Sequence, residues 1–262
     1  MKSLQQVARI VFAFGIMSVG VLTLVYGVAV LLFQPLPKWF PWPNGLGDAA
    51  GILMLITGAG LLFERTSRLS IRILLPFLLL WTLSRVPVAI ADPGTEISWF
   101  AIGEIAVLAA GALVLFVRHA GLREGSRLEL ATREHGLRVA RILYGLSVPT
   151  YGLSHFFQFA ARTVSLVPPW LPYRRGWAIL TGAGQTAAGL GVLFGVYPRV
   201  AAMAEAAMLS LFTVLVWIPA VVTKPALHSN WSEFLFTFAL AGASWVVAES
   251  IPPQRRRAAD RA

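Results

Sequence analysis

The chain has 262 residues, of which 57% are hydrophobic and only 13% charged, against about 25% charged in an ordinary soluble domain. The net charge is +10 and cysteine is absent, which excludes disulfides, thiol chemistry, Cys-ligated zinc and iron–sulfur clusters supplied by this chain. The basic residues gather in particular segments between apolar runs, which indicates topology control rather than nucleic-acid binding.

In chain order, Lys2 and Arg9 precede an apolar run of 24 residues from Ile10 to Phe33. A secretory h-region is about 7–15 residues, so the run reads as an uncleaved first helix. Further apolar stretches predict spans at 47–63, 73–91, 98–117, 141–160, 176–195, 200–222 and 231–249. Each is close to the length of about 20 residues that crosses the hydrocarbon core as a helix. The expected fold is all-α, with eight transmembrane helices and no β-barrel alternation. Sixteen Lys and Arg residues then fall on one side and five on the other, with Arg85 inside a span. That bias predicts both termini in the cytoplasm, in the cell inner (plasma) membrane. Trp39, Trp42, Trp99, Trp170, Trp177 and Trp231 map near the outer boundary, as an interfacial belt.

The chain also reads as duplicated. Lys38-Trp39-Phe40-Pro41-Trp42 matches Pro169-Trp170-Leu171-Pro172-Tyr173 at an offset of 131, and Gly58–Phe63 falls on Gly189–Phe194. With one residue inserted, Pro87 meets Pro219 and Trp99 meets Trp231. The pattern predicts two parallel four-helix repeats. These are a first unit over 1–117, a basic cytoplasmic linker over 118–138, a second unit over 139–250 and a basic tail over 251–262.

The second unit carries Tyr151-Gly152-Leu153-Ser154-His155, Val167-Pro168-Pro169-Trp170-Leu171-Pro172 and Thr181-Gly182-Ala183-Gly184-Gln185, then Ala187–Gly191 and Pro198–Ala202. In this it resembles the DoxX-like family of small four-helix membrane proteins. Where members of that family often carry an acid after Thr-Gly-x-x, this chain has Gln185, and Met54 in its first half. The resemblance implies an accessory or quinone-interacting component of a membrane redox system, with quinone as its ligand and membrane or redox proteins as partners. The alternatives are a small-molecule transporter or permease and a non-catalytic scaffold.

Polar groups inside spans are expensive and are functional candidates by default. Here they are Arg85, Glu104, His155, Gln158, Gln185 and Glu205, with Asp48 and Glu233 at span edges. Arg85 and Glu104 each lie about 9 Å from the outer ends of adjacent spans, so they are expected to form a buried ion pair. Any ligand site built on that pair would be biased to the first unit or to the interface. His155 falls in the same outer half. Glu205 is expected near the cytoplasmic side, snorkelled or salt-bridged. There is no P-loop, Rossmann glycine pattern or HExxH. No metal site is expected, since His119 and His135 sit among arginines. The lipid bilayer is the one obligatory partner, and nucleic acid is not expected.

Overall fold

The computed structural model describes residues 2–26, 43–119 and 127–253. The Lys38–Trp42 motif, the end of the first expected span, residues 120–126 of the linker and residues 254–262 of the tail lie outside the described residues.

Every described element is helical or a turn. The helices are α1 (Lys2–Tyr26), α2 (Pro43–Leu62), α3 (Glu64–Ala91), α4 (Glu96–His119) and α5 (Arg127–Leu153). They continue with α6 (Ala160–Leu166), α7 (Arg174–Phe194), α8 (Pro198–Phe212), α9 (Ile218–Thr223) and α10 (His228–Ser250). A π-helical turn, Thr213–Trp217, joins α8 to α9. Among the described residues seven helical segments are long and apolar enough to cross a membrane, at Leu4–Tyr26, Gly45–Leu62, Glu64–Ala91, Glu96–His119, Arg174–Phe194, Pro198–Thr223 and His228–Ser250. The chain is therefore a multi-pass membrane protein.

The fifth expected span, 141–160, is not among the seven. Its helix starts earlier, in the basic stretch at Arg127, and stops at Leu153. Contacts tie both of its ends to neighbouring helices. At one end, Arg118 Nη2 donates to the Glu249 carbonyl (2.8 Å), Arg141 Nη2 to that of Ser250 (3.4 Å) and Arg199 Nη1 to that of Ile251 (3.0 Å). Arg199 also pairs with the Glu249 carboxylate at 3.1 Å. Cations here satisfy the free carbonyls at the C-terminus of α10 and oppose its dipole. At the other end, just past α5, the Gln158 backbone N–H donates to the Glu96 carboxylate (2.6 Å) and its side chain to the Gly94 carbonyl (2.9 Å). Arg162 and Glu233 pair there at 2.7 Å.

Small residues set the centre. α4 and α10 cross where Gly111 meets Ala243, and a Cβ on Gly111 would stand 3.0 Å from the Ala243 Cα. α10 also packs on α1, where a Cβ on Gly242 would stand 2.7 Å from the Phe12 Cα. Without a hydrophobic drive between helices in lipid, such close backbone approach supplies the association energy.

The packing has a two-part pattern. α1 lies against α2 and α10, while α5 lies against α7 and α4. α2–α3 and α3–α4 contacts are mirrored by α7–α8 and α8–α10 contacts. Local details match as well. Trp99 Nε1 donates to the Pro93 carbonyl (3.0 Å) and Trp231 Nε1 to the Pro225 carbonyl (2.9 Å). α3 ends at Asp92 and α9 at Lys224 in the same backbone conformation, each N–H returning to the carbonyl four residues earlier.

Candidate functional site

The site begins where α5 breaks. Pro149 has no N–H for the helix ladder, and its ring lies on bare backbone of α7, where a Cβ on Gly189 would stand 2.5 Å from Pro149 Cδ. α5 ends four residues later, residues 154–159 turn, and α6 carries the chain towards α7. Across from this break, Pro219 has no N–H to return to Leu215, and its ring would crowd that carbonyl in a regular helix. The wider π turn at Thr213–Trp217 precedes it, a form common at functional sites. Between these two irregularities lies a cavity of about 710 Å³.

Its walls come from α4, the end of α5, the turn after it, α6, α7, α8, the π turn and α10. Phe100, Phe159, Trp177 and Trp217 give it aromatic surfaces. Leu180, Leu211 and Leu215 line it while being 61%, 56% and 41% exposed, and so do Trp170 and Trp177 at 68% and 41%, so it opens to an apolar outer surface along α7, α8 and the π turn and beside the Trp170 turn. Its ionisable and hydrogen-bonding side chains include Glu104, Tyr151, Ser154, His155, Arg162, Gln185 and Glu233, with three threonines, Thr163, Thr181 and Thr237.

Two of them are anchored to neighbouring groups by hydrogen bonds. His155 approaches α7 over Gly182, where a Cβ would stand 2.5 Å from the His155 Cβ. Its Nδ1 is 2.8 Å from the Ala178 carbonyl. That carbonyl can only accept, so Nδ1 carries the proton and Nε2 is the free acceptor. Gln185 Nε2 donates to Glu205 Oε1 at 3.2 Å. Glu104 shares a face of α4 with Ile97 and Phe100, one helical stripe on the cavity wall, and Glu233 lies within its electrostatic reach.

The structure brings together four of the residues singled out from the sequence, Glu104, His155, Gln185 and Glu233, and leaves four outside the lining. Arg85 is buried but makes no ion pair with Glu104. No ion pair between these two is found among the described residues. Arg85 Nε is buried without a hydrogen-bond partner. Rise per residue gives two side chains equal height but not the same azimuth, and Glu104 turns to the cavity on the far side from α3. Asp48 is exposed on α2. Gln158 is exposed and ties the α3–α4 turn to the end of α5. Glu205 is fully buried and bonded to an amide, rather than snorkelled or salt-bridged. Its face of α8 carries Ala202, Ala206 and Leu209, which bury it against neighbouring helices. Among the described residues the cavity is lined mostly from the second half, with α4 contributing from the first. Arg162, partner of Glu233, and Tyr151 belong to the site and were not singled out. Spacing offered a signal for Tyr151, which stands one helical turn before His155 on the α5 face that reaches the cavity.

The lining offers hydrogen bonds to a ligand. Among the described residues no group of His, Asp or Glu could hold a metal ion. Nothing matches among curated proteins or among solved structures. The DoxX family model matches residues 136–217, which contribute α5, α6, α7, α8 and the π turn. The part of the chain that builds most of the cavity thus matches DoxX, a family of helical membrane proteins.

Proposed function

We propose that the cavity binds a quinone-type ligand, and that the chain serves a membrane redox system as an accessory, quinone-interacting component. One observation carries this reading. The cavity is aromatic and polar at its inner end, yet opens past lipid-facing Leu180, Leu211 and Leu215. A ligand entering there is lipid-soluble, with a flat head that stacks on aromatic rings and carbonyl oxygens that take hydrogen bonds. Glu104 in its protonated form and Gln185 are the donors for those carbonyls, and His155 Nε2 accepts from the reduced form's hydroxyl.

The topology proposed with it is eight spans as two parallel four-helix repeats, both termini cytoplasmic in the inner membrane. Placement of Arg141 beside Ser250 and of Gln158 beside Glu96 supports α5 as the eighth crossing.

The test is a titration of the detergent-purified protein with a short-chain benzoquinone, read by quenching of tryptophan fluorescence. Mass spectrometry of co-purifying lipids and quinones accompanies it. Saturable quenching is expected, weakened about tenfold in Glu104→Leu, the equivalent of about 1.4 kcal/mol. Absence of both saturable quenching and co-purified quinone overturns the reading.

A further inference from the structure

Glu104 lies eight residues from the start of α4, about 12 Å along the helix. It lines the cavity and is 6% exposed. Among the described residues it makes no ion pair. Arg162 is the one Lys or Arg among the described residues of the lining, and Glu233 engages it at 2.7 Å. An ionised carboxylate at that depth requires a counter-charge. The described residues supply none, and the space in front of Glu104 is open to a ligand.

The groups around that space share one character. Phe100 precedes Glu104 by four residues, so ring and carboxyl are neighbours on one face of α4. Phe159 meets the Phe100 ring at a centroid distance of 6.0 Å, and Tyr151 meets it edge-on at 6.4 Å. Trp177 and Trp217 line the same cavity. Ring faces are negative and attract a cation. The hydrogen-bonding groups lean the same way. Ser154, Thr163 and Thr181 donate their hydroxyl protons to backbone carbonyls at 2.6, 2.9 and 2.9 Å, which leaves their lone pairs. His155 Nδ1 is engaged by the Ala178 carbonyl at 2.8 Å, so Nε2 is an acceptor. Gln185, 3% exposed, has its Oε1 buried without a hydrogen-bond partner. The lining thus combines one unmatched carboxyl with ring faces and free acceptors.

We propose that the cavity also takes a lipophilic organic cation, with Glu104 as its counter-ion and the Phe100 and Phe159 rings packed against the charged head. Its apolar groups leave past Leu180, Leu211 and Leu215. This goes beyond the quinone reading while using the same cavity. Neutral Glu104 donates to a carbonyl, whereas ionised Glu104 pairs with a cation. The two ligands therefore exclude one another.

The test is calorimetric titration of the full chain in an uncharged detergent. Methyltriphenylphosphonium is the cation, and triphenylphosphine oxide is a neutral compound of similar shape. Saturable binding of the cation is expected, with the oxide at least about tenfold weaker. Glu104→Gln keeps the shape and removes the charge, and should weaken cation binding at least about tenfold. Asp48→Asn, at an exposed acid of α2, should leave it unchanged. Thermal melting checks that both variants fold, and the comparison of cation with oxide needs no variant at all. Cation binding no tighter than that of the oxide, or undiminished in folded Glu104→Gln, overturns the cation site. A short-chain benzoquinone should displace the cation, and saturable binding of both at once overturns the shared cavity. A protein that binds the cation and no quinone keeps this site and loses the quinone reading. One that binds quinone without preferring cation over oxide does the reverse.

Discussion

Gly111 of α4 stands against Ala243 of α10, and a Cβ on the glycine would lie 3.0 Å from the Ala243 Cα. The two positions are 132 residues apart, the same offset that relates Trp99 to Trp231, whose indoles make the same hydrogen bond six residues back. A residue that touches its own equivalent lies on the axis relating the two. In the proposed parallel repeat, the pseudo-twofold axis therefore runs through this contact.

That contact is intolerant of volume. Gly242, next along α10, has no room either, since a Cβ there would stand 2.7 Å from the Phe12 Cα and 2.8 Å from the Phe12 nitrogen. Both obstacles are backbone, so a substitution must push α1 and α10 apart. Gly242→Ala is expected to cost about 1–3 kcal/mol by overpacking, seen as a lower melting temperature in detergent. Gly45→Ala, with nothing within 4 Å of the added Cβ, should leave the melt within experimental scatter. Equal melting of the two variants would contradict this account of the α1–α10 interface.

Arg85 and Glu104 should behave as independent residues. Neither appears in the ion pairs of the described residues, and only Glu104 lines the cavity. In a double-mutant cycle on thermal stability, Arg85→Gln and Glu104→Gln are expected to add within about 0.5 kcal/mol. Glu104→Gln alone should change quinone binding. A coupling of 1.5 kcal/mol or more, on the order expected of a close charge pair, would restore the ion pair and remove Glu104 from its role in the cavity.

The absence of cysteine makes the topology directly measurable, because any introduced thiol is the sole one. Ser165→Cys lies in α6, on the layer of the Arg162–Glu233 pair. Arg133→Cys lies in the basic start of α5, on the layer of the arginine cluster. In intact spheroplasts a membrane-impermeant maleimide should label Ser165→Cys and spare Arg133→Cys until the membrane is permeabilised. The reverse order would invert the orientation, and labelling of both in intact cells would remove α5 as a crossing.

The bilayer passage, the number of candidate spans among the described residues to within one, and most of their bounds were legible in the sequence. An apolar run must be helical in lipid to satisfy its backbone, and the ends of such runs are marked by charge. α7 was expected at 176–195 and is Arg174–Phe194, and α10 was expected at 231–249 and is His228–Ser250. α5 was harder, because Pro149 and the turn after Leu153 interrupt a run whose composition reads as continuous. The polar residues were legible too, since an ionisable group in a span is conspicuous. Their company was not. Height along a helix follows from residue count, but which face meets which neighbour depends on helix rotation and packing, and that rests on contacts such as Gly111–Ala243 and Gly182–His155. Tertiary structure therefore separated Arg85 from Glu104 and buried Glu205 against Gln185. It also lined the cavity mostly from the second half, where a broken helix and a π turn leave space that regular helices would have filled.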